Sequence, residues 1–245
     1  MPGLKIIRAG SFHPWLGVFE TVCVRGGLPL FVEEHWQSLR RACAALGLGR
    51  PFDFRAQVSE LPAVDGRWRW VVGPDGPSHS FQREKRPRPA GLVLALARVR
   101  VGSDNWDARY KTLSYLTRWQ ARREDPVGES LLLNEKGHIT SGAMTNVFWV
   151  RQGRVYTPDE TSGCRAGVVR GWVIAHTKVR FARSRPSALD TANEIFVTNS
   201  MLGICPITCW QNRTLRIGPV TTMLRRKYAQ LVRSIGSPSK RRPAR

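Results

Sequence analysis

The sequence predicts an α+β chain rather than a regular βαβ winding, with one large domain or two small ones left open, and three observations carry that expectation. Strand-like stretches precede a single helical stripe in the first half. In the second half, helices are interspersed with hairpins that turn at short Gly-bearing loops. Neither G-x-G-x-x-G nor G-x-x-x-x-G-K-[ST] occurs in the 245 residues, which argues against a dinucleotide or P-loop site.

Each element follows from its pattern. "GVFETVCVRGGLPLFVEEH" (17–35) reads as two strands joined at Gly26-Gly27, with Val18, Thr21, Val22 and Val24 as β-branched positions. In 33–49 the apolar positions Trp36, Leu39, Cys43 and Leu46 form a helical stripe that Gly47 and Gly49 end. "RWRWVVG" (67–73) alternates as a strand, with Trp68 and Trp70 on one face. A strand is also expected at 91–101, followed by a polar linker at 102–110. The stretch 112–124 predicts a helix with Leu113, Leu116 and Trp119 on its apolar face. Residues 129–158 predict three strands turning at 134–137 and 151–153. A helix at 166–177, a strand at 193–200 and a closing helix at 218–236 complete the chain. The polar stretch 102–110 is a candidate interdomain linker, and 237–245 is a basic tail.

Composition narrows the function classes. No apolar run is long enough to span a bilayer, and the N-terminus lacks the apolar core of a signal peptide, so a cytoplasmic protein is expected. Five cysteines without a C-x-x-C pair and five dispersed histidines argue against a disulfide framework and a metal site. The net charge of +21 raises a nucleic-acid reading. Yet the arginines are scattered, and the only concentrated runs are 82–89 and 237–245. Trp68 and Trp70 read as a buried sheet face rather than a stacking platform. Small anionic ligands account for the charge better than nucleic acid does.

One lysine stands apart in this arginine-rich chain: Lys111, in "RYKTLSYL" (109–116). Three roles are open to it: a solvated charge, a phosphate contact, or an amine that forms a Schiff base with a carbonyl cofactor. The order of motifs favours the last. "GVFET", "LFVEEHWQSL", "YKTLSYL", "LLLNEKGHITSGAMTNVFWV", "VYTP", "GCRAGVVRGWV" and "EIFVTNSMLGICPIT" follow one another between Gly17 and Thr208. In that order they resemble the class IV (fold-type IV) pyridoxal-phosphate enzymes, which include branched-chain and D-amino-acid aminotransferases and 4-amino-4-deoxychorismate lyases.

The resemblance implies a two-domain α+β fold of the D-amino-acid aminotransferase type, its units at 1–102 and 109–236, with pyridoxal 5'-phosphate in the interdomain cleft and usually a homodimer. It places the cofactor-bearing, proton-moving lysine at Lys111. The backbone N–H groups of Val168 and Val169 would hold the phosphate at a helix N-terminus. Thr198, Asn199 or Ser200 would touch phosphate or substrate, with Ser200 best matching the family's hydroxyl. Val169 stands where the family often has threonine.

Two departures are sharper. The family's phosphate arginine is replaced by Ser38. On a helix Arg40 points about 200° from that slot and Arg41 only about 60°, so Arg41 is the nearer substitute, with Arg67 or Arg69 as further candidates. The carboxylate that keeps the cofactor's ring nitrogen protonated is replaced by Ser141, which can hydrogen-bond but cannot hold a proton there by charge. The closest resemblance is to the lyases that turn 4-amino-4-deoxychorismate into 4-aminobenzoate and pyruvate in folate synthesis. Its dicarboxylate substrate suits arginine-rich walls. The alternatives are transamination of branched-chain or D-amino acids, a catalytically impaired scaffold, or a nucleic-acid-binding protein.

Overall fold

The computed structural model describes residues 16–49, 53–84, 89–124 and 128–236. The expected basic tail, Pro14, Trp15 and residues 85–88 of the 82–89 run lie outside the described residues.

The first layer is an antiparallel sheet built from β1 (Val18–Arg25), β2 (Leu28–Pro29), β3 (Gly66–Gly73) and β4 (Gly76–Arg83), in the order β2-β1-β3-β4. Helix α1 (Val32–Leu46) packs on one face. Alternation puts Val18, Val22, Val24, Trp68, Trp70 and Val72 on that face, against Trp36, Leu39 and Cys43 of the helix and Phe54. Trp68 and Trp70 are buried, with Phe54 5.4 and 5.1 Å from their ring centres. Gly47 ends α1 at φ 67°, a left-handed conformation that admits glycine without cost. Strand β4 was not expected from the sequence. Its residues, GPSHSFQR, are polar and mostly exposed, so only backbone pairing with β3 along its full length makes it a strand.

The second layer follows β5 (Leu92–Val101), α2 (Trp106–Arg109) and α3 (Leu116–Glu124). It adds β6 (Glu129–Asn134), β7 (Ile139–Gly142), β8 (Asn146–Arg151), β9 (Arg154–Pro158), α4 (Val168–His176), β10 (Val179–Ala182) and α5 (Ser187–Asp190). The chain closes with β11 (Glu194–Asn199), β12 (Gly203–Trp210), β13 (Arg213–Thr214) and α6 (Pro219–Gly236). The strands form a nine-stranded mixed sheet, β10-β9-β8-β11-β12-β5-β6-β7, with β13 beside β12. Both faces are covered, so β6, β8 and β11 are almost entirely buried. Val147, Trp149, Ile195 and Val197 face one core, while Phe148 and Phe196 face the other beneath α4 and α6, stacked at 4.9 Å.

Several expectations change. Residues 129–158 form four strands rather than three, because the 142–145 turn, closed by Gly142 N–H to Thr145 O at 2.9 Å, breaks the run. Strand β5, at the end of the expected first unit, is hydrogen-bonded to β6 and β12 of the larger sheet. The expected linker contains α2, and its Ser103 donates through N and Oγ to Glu135 at 2.8 and 2.7 Å. The helix expected from 112 begins at Leu116, because the preceding residues are held as extended chain against β1. Phe19 N–H donates to Lys111 O, and Leu113 N–H to Gly17 O, both at 2.8 Å. The expected apolar face of α3 is inverted: Leu116 and Trp119 are 76% and 55% exposed, while Arg118 and Ala121 are buried. Among the described residues no helix is long and apolar enough to cross a membrane.

Candidate active site

Lys111 sits where the extended segment crosses β1. Its Nζ donates to Glu20 Oε2 at 3.2 Å. Glu20 is on the α1 face of β1, among apolar neighbours, with a side chain only 3% exposed. It also accepts from His35 Nδ1 at 2.8 Å and from Ser38 Oγ at 2.7 Å. Burial alone would raise this carboxyl's pKa, but the charges of Lys111 and His35, with the hydrogen bonds from His35 and Ser38, hold it well below the usual carboxylate range. A carboxylate only accepts, so Nδ1 of His35 carries the hydrogen, and Nε2 on the far side of the ring lies within hydrogen-bond distance of Ser200 Oγ, at 3.2 Å. A continuous chain therefore runs Lys111–Glu20–His35–Ser200.

On the other side of Lys111 lies a partly open cleft. Its walls bring together Lys111, Ser141, Val168, Val169, Thr198, Asn199 and Ser200. Gly167 begins α4 with extended dihedrals and no side-chain cap, so the first helical N–H groups are open to an anion. Val169 packs its side chain in the core beside Trp172, so its contribution to the cleft is its backbone. Thr198 Oγ1 is buried with no partner among the described residues. Asn199 is tied up locally: its Oδ1 accepts from Leu202 N–H at 2.7 Å and its Nδ2 donates to Met144 O at 3.3 Å.

The cradle leaves no room at its glycine. A Cβ on Gly167 would lie 2.1 Å from Asn146 Oδ1, and Asn146 is itself anchored through Nδ2 to Arg165 O at 2.8 Å. Gly167→Ala is expected to destabilise the protein by about 1–3 kcal/mol through overpacking. Urea unfolding reads this directly, and an unchanged midpoint would show that the Asn146 side chain yields.

Ser38, in the slot of the expected arginine, spends its hydroxyl on Glu20. Arg41 is exposed and lines a second cavity with Ser38, Glu20, Lys111 and Arg165. Arg67 instead bonds Gln82, and the Arg69 guanidinium lies 4.0 Å over the Phe19 ring.

Sequence reasoning missed five residues here: Glu20, His35, Tyr115, Arg118 and Arg165. All but Arg118 stand inside quoted motifs and carried no mark of their own. Arg165 donates to Asp107 O at 2.7 Å and to Tyr115 Oη at 3.4 Å, with its guanidinium 5.2 Å from the Tyr115 ring centre. Burial pushes the Tyr115 phenol up, but the charges of Arg165 and Arg118 and the Arg165 bond outweigh it and leave the phenol more acidic than usual. Arg118 is 2% exposed, and its Nη1 donates to Ser141 Oγ at 3.1 Å and to Gly142 O at 3.2 Å. Burial, reinforced by the Arg165 charge, pushes the guanidinium down to about 10. An amine, two arginines, an acidified phenol and an uncapped helix N-terminus together make a site for an anion that also carries an amine-reactive group.

The chain is similar to known proteins over most of its length. The profile of the family "Amino-transferase class IV" matches residues 17–210. The aminodeoxychorismate lyase of Bacillus subtilis (strain 168) is 26% identical over 255 aligned positions, covering 90% of this chain and 87% of that protein. Among solved structures, a branched-chain aminotransferase from Thermoproteus uzoniensis superposes with a TM-score of 0.82 at 22% identity, covering 93% of this chain and 88% of that one. An aminotransferase from Brucella abortus, solved with bound PLP, gives 0.80 at 23% identity, covering 94% and 95%. The match spans the strand that carries Glu20, the lysine segment and the α4 cradle, and the chain belongs to the class IV aminotransferase family.

Proposed function

We propose that the cleft binds pyridoxal 5'-phosphate through Lys111 and that the chain is a lyase converting 4-amino-4-deoxychorismate to 4-aminobenzoate and pyruvate. The observation that carries the cofactor reading is the meeting of Lys111 with the uncapped N-terminus of α4 in one cleft. The residues fit the group: N–H donors of Val168 and Val169 and the unpartnered hydroxyl of Thr198 suit a phosphate. Bound there, pyridoxal phosphate supplies an aldehyde for amines and a conjugated ring that withdraws electrons from the substrate's α-carbon.

The protein's own residues do the rest. Lys111 Nζ takes the proton from the substrate α-carbon, and Glu20 and His35 hold that amine in place between uses. Arg41 and Arg165 face the approach to Lys111 and suit the carboxylates of an anionic substrate. The likeness to the Bacillus subtilis lyase over most of both chains supports elimination. The likeness to branched-chain aminotransferases supports transamination as the second reading. In both, the N-terminal unit closes the cleft over the larger sheet, and two copies form a homodimer.

Borohydride reduction of the protein with pyridoxal phosphate, followed by peptide mass spectrometry, is expected to place the adduct on Lys111. The reduced adduct elsewhere, or none, overturns the cofactor reading. Turnover of 4-amino-4-deoxychorismate is then read as 4-aminobenzoate fluorescence and coupled pyruvate. A keto acid formed only from an amino acid and 2-oxoglutarate would replace the lyase reading with transamination.

A further inference from the structure

The wall of the cleft away from Lys111's ion pair is built in an unexpected way. Lys111 borders both the cleft and the neighbouring cavity that holds Glu20, whereas Ser141 and Arg118 line the cleft alone. Arg118 Nη1 donates to Ser141 Oγ, so the hydroxyl's acceptor side faces a cation and its own hydrogen is left to donate. Two further nitrogens of Arg118, Nε and Nη2, are buried without partners among the described residues. The titratable side chains bordering the cleft are Lys111, Tyr115, Arg118 and Arg165, and no Asp or Glu is among its lining residues. From outside that lining the charge of Asp107 acts on Arg118, and two further acids are committed elsewhere. Glu20 serves Lys111, His35 and Ser38, while Glu129 lies behind Gly142 and accepts from Ser130 N–H at 3.0 Å and Met144 N–H at 3.3 Å.

Resting on the cofactor reading above, we propose that the Arg118–Ser141 pair holds the ring nitrogen of bound pyridoxal phosphate as an unprotonated hydrogen-bond acceptor. The ring's connectivity supports this orientation. The nitrogen is para to the carbon bearing the aldehyde, so a ring attached at Lys111 carries its nitrogen at the far end, while the phosphate arm branches beside the aldehyde toward α4. The Arg118–Ser141 pair in the cleft wall presents donors. A protonated nitrogen would bring a second positive charge against a buried guanidinium with no carboxylate among the cleft's lining residues to offset it, which is unfavourable in low dielectric.

The consequence concerns which reaction the site favours. An unprotonated ring draws less charge from the substrate's α-carbon, so it disfavours transamination, which must hold that charge until a proton is delivered elsewhere. Elimination from a substrate whose remaining ring becomes aromatic brings its own driving force and tolerates the weaker sink. Ser141 is then the contacting group, and Arg118 is a positioning residue that fixes which way the serine hydroxyl points.

The test is ¹⁵N NMR of the holoenzyme loaded with pyridoxal phosphate labelled at the ring nitrogen. The wild type is expected to show the unprotonated pyridine shift throughout pH 6–9, and Ser141→Glu to move it to the protonated position. A protonated shift in the wild type overturns the proposal, and that measurement requires no variant to fold. Arg118→Gln is expected to leave the Lys111 adduct in place while moving or broadening the nitrogen resonance; an unmoved resonance would assign Arg118 a purely structural role and overturn its part. Absence of any borohydride adduct would instead defeat the cofactor reading, so the two failures are separable.

Discussion

Replacing Lys111 with alanine is expected to lower turnover by about three orders of magnitude and to lower the unfolding midpoint as well. Positioned acid–base catalysis alone is worth roughly 10²–10⁴-fold, and the same amine provides the covalent attachment for the cofactor. The loss of stability follows from Glu20, a buried carboxylate that the lysine's charge helps to hold ionised, and it is limited because Lys111 is 29% exposed and Glu20 keeps His35 and Ser38. Lys111→Arg is the informative companion: it retains the charge beside Glu20 but has no primary amine to condense with an aldehyde. Both variants should lose the borohydride adduct, and circular dichroism should show both folded. A Lys111→Ala enzyme with a tenth or more of wild-type turnover would move the chemistry to another residue.

The second large effect lies at Glu20. Alanine there would leave Lys111, His35 and Ser38 without their shared acceptor, and breaking a buried ion pair by removing one member costs about 3–5 kcal/mol. Glu20→Gln keeps the shape and one acceptor and should cost less, about 1–3 kcal/mol. The pH dependence gives the sign. Folding lowers this carboxyl from a reference value of 4.5, so near and below that pH the unfolded chain binds the extra proton. The stability Glu20 contributes is therefore complete above about pH 5 and is lost as pH falls through the acid range. Urea unfolding of wild type and Glu20→Gln from pH 7 to pH 3 should show the gap between them narrowing toward acid. Parallel curves over that range would mean that Glu20 is not ionised in the folded protein.

How much could be read in advance depended on the range of the interactions involved. The strands β1, β3 and β11 and the helices α1, α4 and α6 announce themselves by local alternation, helical stripes and glycine stops, and each appears within a few residues of its expected bounds. Strand β4 did not, because its polar residues become a strand only by pairing with β3. The start of α3 was misread for the same kind of reason. Leu113 and Leu116 fit a helical stripe, yet backbone bonds from Gly17 and Phe19 hold residues 111–113 extended. The arginine substitute was legible only in part: helical geometry pointed to Arg41, which does line the cavity beside Lys111, while Arg165 came from a distant loop and carried no periodic signal.

By itself, then, the sequence determined the α+β class, the order of elements, the family and the lysine to examine, since these rest on short-range periodicity and ordered motifs. The tertiary structure alone decided what surrounds that lysine. Glu20 lies 91 residues from Lys111, and Ser200 lies 165 residues from His35. Arg118 turns inward to Ser141, against the apolar pattern of its own helix, because a buried guanidinium needs the acceptors that Ser141 and the Gly142 carbonyl offer it. Contacts of that separation leave no local period in the chain, so only the folded backbone brings them together.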